Sequence, residues 1–144
     1  MNIQEDYVSF ETAKLLKKKG FPQEYDIYHA LVYNEEDFED EYEVQRMVLE
    51  TRLVKAGTLS SYPVGVSEPK CYCPTLQMAI KWLREVHKIF IEISVSIDLN
   101  GEYHYSYSIL NRECKYVRKG YTDFNWNYEQ ACEVALKFCL EHLI

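Results

Sequence analysis

Apolar and polar residues repeat with two different periods between Pro74 and Ile109. In PTLQMAIKWLREVHK, Leu76, Ala79, Ile80, Leu83 and Val86 fall at helical spacing, Met78 and Trp82 lie on a neighbouring flank, and Lys81, Arg84 and Lys88 point outward. Pro74 suits a first helical position, where its missing N–H costs nothing. IFIEISVSI and EYHYSYSI then alternate residue by residue, which predicts two strands joined by Asp98-Leu99-Asn100-Gly101. A two-residue Asn-Gly loop would set Ile97 against His104 and Val95 against Ser106. A type I turn starting at Asp98, with Gly101 as a left-handed bulge, instead pairs Ile97 with Tyr103, Val95 with Tyr105, Ile93 with Tyr107 and Ile91 with Ile109. Burial stabilises each aliphatic side chain by about 1.5–3 kcal/mol, so the bulged register is predicted, with the Ile/Tyr row beneath the helix. Ser94, Ser96, His104, Ser106 and Ser108 then occupy the opposite face.

The remaining elements are set by caps and breakers. Ser9 can cap a helix beginning at Phe10, with Val8 folded back on Ala13, Lys17 to Lys19 in the last turn, and Gly20 closing the end. Pro22 breaks that helix, and Tyr25 to Tyr33 reads as a strand. The acidic run NEEDFEDEYE leads into VQRMVLETRLVKAG, whose apolar residues fit a helical stripe, so helix is the favoured expectation for 36–56; the same residues are spread over both phases, which also admits a strand. TLSSYPVGVSEPKCYC, 58–73, has no period and reads as a loop. A third strand is expected at 114–119. Asn127 can cap a final helix with Ala131, Val134, Ala135, Phe138 and Leu140 in its apolar stripe.

The fold class this predicts is a single α+β domain over 1–144: an antiparallel sheet of three to four strands with helices packed on one face. A chain of 144 residues with 47% hydrophobic content and only nine Gly plus Pro is long enough and apolar enough for its own core. No apolar run could span a bilayer and no signal peptide is visible, which points to the cytoplasm and away from a membrane. Cys71, Cys73, Cys114, Cys132 and Cys139 contain no C-x-x-C pair, so reduced thiols and no metal or cofactor are expected.

The net charge of −7 is local. Glu35, Glu36, Asp37, Glu39, Asp40, Glu41 and Glu43 supply seven of the 23 acidic residues, leaving 16 against 16 basic ones elsewhere. Such a run is a candidate interaction segment, whether as a plain solvated tail or as a mimic of a nucleic-acid backbone.

YVSFETAKLLKKKGF at 7–21, PTLQMAIKWLREVHKIFIEI at 74–93 and the Tyr128 to Ile144 helix ending in LEHLI together resemble a family of small proteins of gut bacteria and their phages and mobile elements. The middle, 34–70, lies outside that resemblance. The family has no established activity to carry over; the resemblance implies an accessory protein working in bacterial cytoplasm.

Candidate chemistry is sparse. His87 follows Glu85, and His104 lies among serines, yet no Gly-x-Ser-x-Gly elbow or oxyanion loop accompanies them, so no enzymatic role is expected. Trp82, Arg84, His87 and Lys88 form a candidate basic-aromatic binding patch for a phosphate or base; the simpler reading packs Trp82 on the hairpin and leaves Arg84 and Lys88 in solvent. Helix, three strands and helix over 74–144 is also the element order of the double-stranded RNA-binding domain. Its RNA-facing helix is basic, whereas the last helix here has Glu129, Glu133 and Glu141 against Lys137, which disfavours nucleic acid. The function expected is therefore binding of a host or phage protein, with self-association into a homo-oligomer also open. A small-molecule binder, such as a nucleotide-sequestering protein, is the alternative.

Overall fold

The computed structural model describes residues 3–23, 27–32, 50–55, 66–120 and 126–144, with 27–32, 50–55 and 66–70 as backbone alone. Helix α1 spans Phe10–Lys18. The Ser9 hydroxyl caps it by accepting from Thr12 N–H, and Gly20, at φ +89°, turns the chain after it. Val8, Ala13 and Leu16 are buried.

The α+β expectation holds, but the six strands among the described residues form two antiparallel three-stranded sheets. The first has order β2-β1-β3, from β1 (Ile27–Val32), β2 (Glu50–Lys55) and β3 (Val66–Tyr72). Two expectations change here. Helix is favoured over 36–56 with strand as the alternative, and the described part of that region is strand, β2; the apolar residues of ETRLVK sit in both phases, and pairing with β1 decides between the two readings. Loop is expected over 58–73, yet Val66–Tyr72 is strand. Pro69 and the lack of alternation hide it, and the register against β1 shifts where Ala30 meets Pro69, as an edge strand with a proline requires.

The second sheet has order β4-β5-β6, from β4 (Phe90–Ile97), β5 (Tyr103–Leu110) and β6 (Tyr116–Gly120). Its hairpin adopts the bulged register: Ile97 opposes Tyr103, Val95 Tyr105, Ile93 Tyr107 and Ile91 Ile109. Gly101 has φ +83°, and its N–H donates to the Asp98 carbonyl at 3.1 Å. A residue with a Cβ would be strained in that bulge.

Between the sheets, helix α2 spans Leu76–Trp82. Thr75 rather than Pro74 begins it: the threonine hydroxyl accepts from Met78 N–H at 3.2 Å. The helix then widens into a π-helical turn, Leu83–His87, closed by Lys88 in the left-handed conformation at φ 57°. An i→i+5 turn takes in one extra residue and rotates the side chains beyond it. Leu76, Ala79 and Leu83 are therefore buried as their spacing predicts, while Val86, expected in the same row, is 58% exposed. Lys81, Arg84 and Lys88 are exposed.

Helix α3 spans Tyr128–His142 and opens with a capping box between Asn127 and Gln130. Ala131, Cys132, Ala135, Leu136, Cys139 and Leu140 are buried, whereas Val134 is exposed. The core joins these residues to Leu16 of α1, Leu83, and Tyr107 and Ile109 of β5. Helices α1, α2 and α3 all contribute to this core, on one face of the β4-β5-β6 sheet. No helix among the described residues is long and apolar enough to cross a membrane.

Candidate functional site

The expected basic-aromatic patch is divided by the π-helical turn. Trp82 packs edge-on against Phe21, with ring centroids 5.2 Å apart, and against His87 at 4.6 Å. Arg84 leaves that side: its Nε donates to Glu85 Oε1 at 3.3 Å on the exposed surface. Trp82 and His87 are thus brought together, and Arg84 is not. His87 Nε2 is buried with no hydrogen-bond partner among the described residues. His87 and Lys88 line a cleft of about 370 Å³ together with Asn111, Arg112 and Ile144, opening to solvent. Arg112 is a residue that sequence reasoning passes over, since only the fold brings the β5–β6 turn beside the end of the π turn.

The hairpin tip is the second feature. Along one face of β4 and β5, burial falls steadily outward: Ile109 and Tyr107 are buried, Ile91 and Ile93 are half-buried, Val95 is 58% exposed, Ile97 61% and Tyr103 67%. Leu99, at the turn, is fully exposed. Strict alternation sets all of these strand residues beneath a helix. The helix that packs on β4 and β5, however, is α3 (Tyr128–His142) rather than the one that precedes them, which packs against α3, and α3 covers only the inner end of the row, so an overhang results. An apolar residue in the turn, Leu99, is the sequence signal that points to it.

The overhang is rigidly built. Asp98 Oδ1 accepts from the N–H groups of Asn100 at 2.8 Å and Glu102 at 3.0 Å, and Oδ2 lies 2.8 Å from His104 Nε2. The His104 bond, helped by the Glu102 N–H, holds the Asp98 carboxyl below the usual range. Asp98, Glu102 and His104 bring donor atoms within 4.8 Å of one another, a mixed oxygen and nitrogen set of the kind divalent cations accept. The direct bond between Asp98 and His104 already accounts for this closeness. At the inner end, Trp126 stacks on Tyr107 at 5.8 Å, its carbonyl accepts from Tyr105 N–H, and Tyr105 meets Tyr128 edge-on at 5.9 Å.

The thiols divide into one exposed and four buried. Cys114 is exposed. Burial pushes Cys73 and Cys139 up to about 12 and Cys132 to about 11, and raises Cys71 as well. Cys73 Sγ lies 3.2 Å from the Val8 carbonyl oxygen, to which it donates. Such thiols are poor nucleophiles, because the thiolate is the reactive form.

The acidic segment Glu35, Glu36, Asp37, Glu39, Asp40, Glu41 and Glu43 lies outside the described residues. Comparison of the chain with protein-family models, curated proteins and solved structures finds no match to any of them.

Proposed function

We propose that this chain is a non-enzymatic protein-binding module whose contact surface is the overhanging tip of the β4–β5 hairpin. The observation that carries the reading is the continuous exposure of Val95, Ile97, Leu99 and Tyr103 on a turn stiffened by Asp98 and His104. Clustered exposed apolar side chains on a rigid support are a recurrent mark of protein interaction sites. Val95 and Ile97 are already partly shielded, so covering what remains of each would contribute about half of the 1.5–3 kcal/mol of a full burial, with little ordering cost on this side. The resemblance to phage and mobile-element proteins supports work in bacterial cytoplasm, with a host or phage protein, or this chain itself, as partner. Capture of partners from bacterial lysate tests it: Val95→Asp with Tyr103→Ser should abolish capture, while neutralising the acids of 35–43 measures what that segment adds. Identical partners on the doubly substituted tip would refute the assignment.

A second reading rests on the cleft beside His87. Lys88 and Arg112 supply two cations around a volume suited to a small anionic ligand, such as a nucleotide. Thermal-shift measurements with nucleotides test this reading. A rise of several degrees that disappears in Arg112→Ala would favour it over the hairpin tip.

A further inference from the structure

We infer that the partner of the hairpin tip is a second copy of this chain, joined through antiparallel pairing of β4 with the partner's β4, centred on Ser94. This rests on the protein-binding reading and names its occupant.

Among the described residues four strands lie at sheet edges, and three carry features that discourage further pairing. β2 contains Arg52 and Lys55, β3 contains Pro69 and shifts register, and β6 is short with Arg118 and Lys119 in its five residues. β4 has no proline, no register shift and no lysine or arginine, and its one charge is Glu92. It runs FIEISVSI for eight residues in unbroken register with β5, and among the described residues it pairs on one side only. Side chains are exposed on both of its faces from Ser94 to Ile97, so the edge is open there.

The ladder fixes which backbone groups face outward. Asp98 N–H donates to the Glu102 carbonyl, so hydrogen-bonded pairs fall at every second residue inward from Asp98. Ser96 and Ser94 therefore bond β5, while Ile97, Val95, Ile93 and Ile91 direct N–H and C=O to the free side. The residues whose backbone seeks a partner are the aliphatic ones.

Pairing two such edges about a two-fold axis at Ser94 sets Ile93 opposite the partner's Val95 and Ile91 opposite the partner's Ile97. Every aliphatic residue of the row gains an aliphatic neighbour, and the most exposed pair meets the half-buried pair of the other copy. Glu92 falls opposite the partner's Ser96. Sliding two residues one way would set Glu92 against the partner's Asp98, a like-charge pair; sliding the other way leaves Ile97 without a strand partner. At each end of the centred register, exposed Lys88 approaches the partner's turn, which carries Asp98 and Glu102. The product is one six-stranded sheet in which Val95 and Ile97 of each copy lie beside Ile93 and Ile91 of the other, an isologous contact that closes at two copies.

The test uses the whole chain. Sedimentation should give twice the 17.1 kDa monomer mass at protein concentrations of ~100 µM. Val95→Pro removes an outward N–H without touching the β5 ladder, and Val95→Lys places a charge on the edge. Each should raise the dimer dissociation constant at least about tenfold, with near-ultraviolet circular dichroism reporting that the fold is kept. In a Cys114→Ser background, Ser94→Cys places two thiols across the axis at a Cα separation of about 4.5 Å and should cross-link with diamide, whereas Ser96→Cys, opposite Glu92, should not. A monomeric wild type, a folded Val95 variant that stays dimeric, or equal cross-linking from both cysteines would overturn the pairing. A monomer whose tip still captures a lysate protein would refute self-pairing alone and leave the protein-binding reading standing.

Discussion

Substituting Gly120 by alanine tests the packing beneath the hairpin through the sign of its effect. Gly120 pairs with Tyr107 across β5 and β6, and the tyrosine ring lies directly over it. A Cβ at Gly120 would stand 2.2 Å from Tyr107 Cε1 and 2.5 Å from Cδ1, well inside van der Waals contact. The ring has little freedom to retreat, because Tyr107 is 3% exposed, stacks on Trp126, and accepts from Arg118 Nε at 3.4 Å. In an open strand, Gly→Ala stabilises by about 0.4–1 kcal/mol by restricting the unfolded chain. Overpacking here should instead cost about 1–3 kcal/mol, lowering Tm by several degrees for a chain of this size. Urea unfolding of wild type, Gly120→Ala, Tyr107→Leu and the double variant would close a double-mutant cycle. The expected result is a destabilised single alanine variant whose cost largely vanishes in the Tyr107→Leu background. A stabilising Gly120→Ala would mean that the ring does not rest on the glycine, and the described inner packing would be wrong.

Other outcomes are set by the same geometry. Leu83→Ala should cost about 2–5 kcal/mol in chemical denaturation, and Val86→Ala within about 0.5 kcal/mol, because the π-helical turn buries the first and exposes the second. Asn127→Ala removes the acceptor for Gln130 N–H in the α3 capping box and should lower stability by about 1 kcal/mol. A thiol-reactive chromophore at pH 8 should label Cys114 alone among the five cysteines of the native chain. Since the buried thiols titrate higher folded than unfolded, their contribution to stability is complete below about pH 8.5 and should decline as pH rises toward the folded values; a flat profile there would count against their burial. Asp98 carries the opposite sign: its folded value lies below the unfolded one, so its contribution is present above about pH 4 and is lost as pH falls through the folded value. The Tm gap between wild type and Asp98→Asn should close on acidification.

Sequence reasoning works here where chemistry is local. Ser9, Asn127 and Gly101 each specify a backbone arrangement within a few residues, and the helix starts and hairpin register are consequences of them. It fails where distant chain decides the outcome. Pro69 disguises β3, and Glu50–Lys55 takes its conformation from β1 rather than from its own period. The alternation of β4 and β5 assigns an inward face correctly but carries no information on how far the helices reach, so it misplaces Val95, Ile97 and Tyr103 in the interior. The site residues share that limit. Trp82 and His87, five residues apart, meet across the π turn, whereas Arg84 stays outward beside its neighbour Glu85, as its place in the helical pattern predicts.

Amide hydrogen exchange along β4, read residue by residue, bears most directly on the open edge that both the binding reading and the self-pairing depend on. In dilute protein the amides of Ile93, Val95 and Ile97 should exchange fast and those of Ser94 and Ser96 slowly, and raising the concentration should protect the first set alone. Uniform protection along the strand at every concentration would contradict an open edge.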